Sequence, residues 1–87
     1  MLHPEVVLRV DGAEVAAGAE AVGRRASFFA TRPGRRVTPV LVNGTPGVVA
    51  EQDGEPVSVM AFDVVAGRVT AIDTVSDRAR LARLWRP

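Results

Sequence analysis

The sequence predicts an α+β fold in which a curved antiparallel sheet packs against helices, and three observations carry that expectation. Four β-rich runs fill the second half of the chain, separated only by tight turn signals. An amphipathic helical pattern precedes them and closes at Arg32-Pro33-Gly34. Before that helix stands one isolated run, Val6 to Val10, of mainly β-branched apolar residues.

The first run stops at Asp11-Gly12, a turn-forming pair, and so reads as a short strand. The alanine-rich stretch Ala13 to Ala21 contains Gly18 and reads as a loop leading into the helix. From Ala19 to Thr31, Val22, Ala26 and Phe29 recur at helical spacing, flanked by Ala19 and Phe28, which gives one helix of about three turns. The β-rich runs are Val37 to Val42, Gly47 to Glu51, Pro56 to Val65 and Arg68 to Val75. Their connections, Asn43-Gly44-Thr45-Pro46, Gln52-Asp53-Gly54-Glu55 and Ala66-Gly67, are too short for a crossover helix, so neighbouring runs pair antiparallel.

Alternation along the third run sends Ser58, Met60, Phe62 and Val64 to one face and Val57, Val59, Ala61, Asp63 and Val65 to the other. Both sets are largely apolar, which calls for cover on both sides: helices on one, and on the other a structure such as a curled sheet enclosing a cavity. Pro39 cannot donate a ladder hydrogen bond and places its strand at an edge or a bulge. Ser76 is the expected N-cap of a final helix, Asp77 falls in its first turn, and Leu81, Leu84 and Trp85 form its apolar stripe, with Arg78, Arg80, Arg83 and Arg86 on the wetter side.

At 87 residues the chain is a single domain able to bury about two thirds of its unfolded surface, and 47% hydrophobic with 24% charged residues is an ordinary globular balance. With no cysteine there is no disulfide, thiolate metal site or cysteine nucleophile. No run is long enough to span a bilayer and the N-terminus lacks a signal-peptide pattern, so the expectation is a cytoplasmic protein without membrane contact. The net charge is +1 and every cation is arginine. Arg24, Arg25, Arg32, Arg35 and Arg36 gather around the helix end and its loop, either as a solvated face or as a patch for phosphate or an acidic protein surface.

Four words in the sequence resemble those of a known family: Pro4-Glu5-Val6-Val7-Leu8-Arg9-Val10-Asp11-Gly12, Val42-Asn43-Gly44-Thr45-Pro46-Gly47-Val48-Val49, Gly67-Arg68-Val69-Thr70-Ala71-Ile72-Asp73 and Asp77-Arg78-Ala79-Arg80-Leu81. Together they look like the C-terminal SnoaL-like extension of extracytoplasmic-function sigma factors, which has the nuclear transport factor 2-like cone. The resemblance runs from Leu2 through nearly the whole chain. It departs from the family pattern at Ala13, where further glycines follow the aspartate, at Thr45 for alanine, at Arg78 for proline and at Ala79 for an acid. Family members carry two helices before the first strand and sigma regions before those, so the resemblance implies that residues 1–87 are an N-terminally truncated domain.

The implied function is regulatory: the extension packs on sigma-factor core regions or RNA polymerase and modulates transcription initiation, with no direct nucleic-acid contact. Its expected contact motifs are Asp11 and Gly12; Asn43, Gly44, Thr45 and Pro46; and Asp77, Arg80 and Leu81. The alternative is a small-molecule or isomerase/cyclase-type pocket lined by Val40, Val42, Met60 and Phe62, with Asp63 or Asp73 as its polar group.

Against catalysis, tyrosine is absent and the single histidine, His3, sits at the chain start without the neighbours a metal site needs. No catalytic residue, metal or cofactor is assigned. Asn43-Gly44-Thr45-Pro46 is in any case a turn that fixes register. Trp85 either closes its own core or anchors a partner, and in so short a chain the core is preferred. Loss of the two preceding helices is expected to expose Val57, Val59, Met60 or Phe62, and a weak homodimer is the expected way to cover them.

Overall fold

A computed structural model describes residues 1–84 of the chain. The expectations for the Leu84 side chain, Trp85 and Arg86 fall outside what is described. The chain forms β1 (Leu2–Val10), β2 (Ala13–Ala17), α1 (Ala19–Ala30), β3 (Arg35–Val42), β4 (Thr45–Gln52), β5 (Glu55–Val65), β6 (Arg68–Val75) and α2 (Arg78–Leu84). The strands make one six-stranded sheet in the order β2-β1-β6-β5-β4-β3. This is the expected α+β architecture, an open curved sheet with helices packed on it.

The four hairpins share one kind of turn. Asp11-Gly12, Asn43-Gly44, Asp53-Gly54 and Ala66-Gly67 all place two successive residues at positive φ, between 50° and 87°. That geometry matches the right-handed twist of the flanking strands and explains why two-residue connections suffice. It also fixes the register in which β3 to β6 pair antiparallel.

Three features differ from the sequence reading. Ala13 to Ala17 is an edge strand paired with β1 and not a loop, because the Asp11-Gly12 turn folds the chain back although its alanines carry little β-propensity of their own. The sheet is mixed: β1 lies parallel to β6, with Leu8 opposite Ile72 and Arg9 opposite Asp73. The cap of α2 is Asp77, one residue later than expected, since its Oδ1 accepts the Arg80 N–H at 3.1 Å. Pro39 does lie on the edge strand β3.

Both faces are covered by helices. On one, Val22 of α1 is fully buried against Val6, Leu8 and Ile72, with Met60 and Phe62 packed beside them. On the other, Leu81 of α2 closes over Val49 and Val59, flanked by Val40, Val42 and Val75. The curled sheet expected over the second face is therefore replaced by α2.

The expected exposure of the central strand is corrected in the same way: Val59 is only 5% exposed, and Val57, Met60 and Phe62 are half-buried. The large apolar side chains left in water are elsewhere, among them Phe28 on α1, Leu41 on β3 and Val64 and Val65 at the end of β5.

Candidate functional site

A cleft of about 520 Å³ lies between α1 and the sheet. Leu8, Val10, Met60 and Ile72 form its floor, and Phe28 and Phe29 its helical wall. Arg25, Phe28 and Phe29 fall at spacings of three and four residues, so one stripe of α1 delivers them, and Arg32 follows in the turn just past the helix end. Arg24 and Arg32 complete a cationic rim with Arg25, while Thr74 and Ser76 add hydroxyls at the end of β6. No carboxylate lines the cleft among the described residues.

Arg35 has a different task. Its guanidinium stacks 4.0 Å over the Phe29 ring, and its Nε donates to Gln52 Oε1 at 2.9 Å. Gln52 Nε2 in turn donates to the Pro33 carbonyl at 2.7 Å. These contacts tie the end of α1 to the sheet and hold the Phe29 wall in place.

The sequence-derived pocket set does not converge. By strand alternation Met60 and Phe62 face α1, whereas Val40, Val42, Asp63 and Asp73 face the α2 side, and of the six only Met60 lines the cleft. Asp63 is exposed. Asp73 is held by Arg9, whose Nη1 reaches Oδ1 at 3.0 Å and Oδ2 at 3.3 Å. His3 Nδ1 accepts the Glu5 N–H at 3.0 Å, which gives the histidine a local structural role.

Two of the three expected contact motifs meet in space. Asp11 Oδ1 accepts the N–H groups of Ser76 and Asp77, and so joins the first hairpin to the start of α2. Leu81, on the inner side of α2, is 5% exposed and is occupied by the core, which leaves Asp77 and Arg80 as the exposed members of its motif. Asn43-Gly44 lies apart from both. Beyond the Leu41–Pro46 and Phe62–Ile72 pairs, it sits at the end of the sheet opposite that of Asp11 and Ser76.

What residue spacing alone passed over is the cleft itself. The signal present was the arginine cluster at the end of α1, of which Arg24, Arg25 and Arg32 reach the rim while Arg35 turns inward.

No family model matches the chain, and no curated protein matches it. Among solved structures the fold is similar to the crystal structure of the Mycobacterium tuberculosis extracytoplasmic function sigma factor SigJ, with a TM-score of 0.67 and 22% identity. The likeness covers 93% of this chain and 36% of that one, so the chain spans little more than a third of its structural neighbour. It establishes a shared fold. No helix among the described residues is long and apolar enough to cross a membrane.

Proposed function

We propose that this chain is a regulatory interaction domain of the kind appended to extracytoplasmic-function sigma factors, which modulates transcription initiation by packing on sigma-factor core regions or RNA polymerase. The observation that supports the reading is the fold likeness to such a sigma factor over 93% of the chain, joined to the four sequence words that resemble the family's extension. In this reading residues 1–87 form one domain of a longer cytoplasmic protein, helices preceding β1 belong to that protein, and the domain is non-catalytic and contacts no nucleic acid directly.

Its contact surfaces are the Asn43 to Pro46 hairpin and the exposed Arg80 beside the Asp11 junction. The test is a transcription reaction with core RNA polymerase and an extracytoplasmic-function sigma factor stripped of its C-terminal extension, titrated with this chain. A change in initiation that is lost with Thr45→Arg or Arg80→Glu is the expected result. No effect at any ratio, together with no effect when the chain is fused to the sigma regions, refutes the reading.

A second reading, a small-molecule pocket, is favoured by the cleft under α1. Its volume of about 520 Å³ falls within the range of roughly 300–1,000 Å³ usual for ligand sites. Neither Asp63 nor Asp73 lines it, and in this reading the pocket binds a ligand without using either carboxylate as an acid or base.

A further inference from the structure

The cleft has a chemistry of its own, independent of any contact with a sigma factor. Its floor and wall are apolar, and among the described residues its only charges are three guanidinium groups at the rim. Glu20 approaches Arg24 at 3.7 Å, but both side chains are largely in water and the pair is a loose one. Arg25 on α1 and Arg32 in the turn after it form no ion pair among the described residues.

A fully neutral occupant would fill the floor and leave this rim unused. A cationic one would be repelled by it. A polyanion without apolar surface would satisfy the rim and leave Leu8, Met60, Ile72 and Phe28 unserved; Phe28 is 72% exposed as it stands. Only an amphipath with one anionic head and an apolar body matches both parts. A carboxylate suits the head, because guanidinium presents paired N–H donors in the planar spacing of two carboxylate oxygens.

We propose that the cleft between α1 and the sheet binds an amphipathic monocarboxylate, with its apolar body on Leu8, Met60 and Ile72, its flank on Phe28 and its carboxylate at Arg25 and Arg32. This rests on the reading of the cleft as a ligand pocket and not on the regulatory reading. Arg35 is not part of the anion site: its stacking on Phe29 and its bond to Gln52 make it a positioning residue that keeps the aromatic wall upright.

The test is titration of the full chain with dodecanoate, kept below the concentration at which it self-associates, followed by calorimetry and by amide chemical shifts. One saturable site is expected, with shifts confined to α1, the Thr74 to Ser76 segment and the strand positions around Leu8, Met60 and Ile72. Dodecanol and dodecyltrimethylammonium serve as neutral and cationic controls, and each is expected to bind at least about tenfold more weakly. Arg25→Gln combined with Arg32→Gln, both surface changes that leave the core intact, is expected to cost about tenfold or more in dodecanoate affinity and to remove most of the salt dependence.

Equal binding of dodecanol and dodecanoate would keep the pocket and overturn the anion site. Unchanged affinity in the double arginine variant would overturn it too. Absence of saturable binding by all three probes would overturn both the site and the pocket, as would an acidic amphipathic peptide that occupies the cleft while dodecanoate does not.

Discussion

Oδ1 of Asp11 accepts the backbone N–H of Ser76 at 2.9 Å and reaches the next N–H, that of Asp77, at 3.2 Å. In return the Asp11 N–H donates to the Thr74 carbonyl at 2.8 Å. A turn residue at the first hairpin thereby fixes the point at which the chain leaves β6 and enters α2.

Asp11→Gly is therefore expected to lower stability by about 1 kcal/mol, the usual cost of losing a carboxylate that satisfies free N–H groups at a helix start. Glycine keeps the positive φ of 50° available, so the loss reports on the carboxylate and not on turn strain. Asp11→Asn retains an acceptor and should cost little. Urea unfolding measures both, and faster hydrogen exchange at Ser76 and Asp77 in the glycine variant locates the effect. Equal stability of the glycine variant and the parent would remove the latch.

Ala66 is the odd member of the four turns. It sits at φ 52°, where the other turns place Asp or Asn, and its Cβ has no polar group to offset the strain. Ala66→Asn or Ala66→Gly should stabilise the fold by about 0.5–1 kcal/mol, seen as a rise of a few degrees in Tm. A lower Tm for both would show that the alanine methyl makes a contact worth more than the strain.

These junctions also show how far the sequence was legible. Asn43-Gly44 and Asp53-Gly54 mark their hairpins by residue type, but the connections read from sequence are four residues long, whereas Thr45, Pro46, Gln52 and Glu55 already pair within the strands. The Asp11 to Ser76 contact joins positions 65 residues apart and leaves no local trace. The parallel pairing of β1 with β6 is equally non-local. β2 escapes notice because Ala16 and Ala17 are strand residues only through their partners Leu8 and Val7. The cleft was half visible: the arginines could be counted, but which of them faced a cavity depended on Arg35 folding back onto Phe29.

Asp73, read from sequence as a pocket acid, is instead the partner of Arg9, with side chains 48% and 40% exposed. A pair this wet contributes no more than about 1 kcal/mol. Asp73→Asn is expected to leave both the fold and any activity of the parent protein nearly unchanged, measured by thermal melting and by the transcription titration. A loss of turnover by orders of magnitude with the fold intact would restore the catalytic reading.

Ser58 lies on the α1 face of β5, 1% exposed, and its Oγ has no hydrogen-bond partner among the described residues. A buried hydroxyl without a partner costs more than the methyl that would replace it. Ser58→Ala removes the hydroxyl without enlarging the side chain and should raise stability by about 1 kcal/mol, read from the urea midpoint at constant m-value. A clear loss of stability would mean that the hydroxyl is satisfied in solution.

Leu41 is 75% exposed on the edge strand β3, with Val37 at 39% on the same side, so the outer edge of the sheet offers water an apolar strip as well as unpaired backbone groups. Pro39 interrupts that edge between them and limits how well a second strand can add. The balance points to a weak homodimer formed at β3 and not through the central strand, whose Val59 is already covered by Leu81. Leu41→Arg should abolish association at no cost in fold, because a side chain this exposed leaves little packing for the change to break. Sedimentation over a concentration series decides the matter. A parent chain that is monomeric throughout would show that Pro39 alone suffices to silence the edge, while a dimer that survives Leu41→Arg would move the interface to another face.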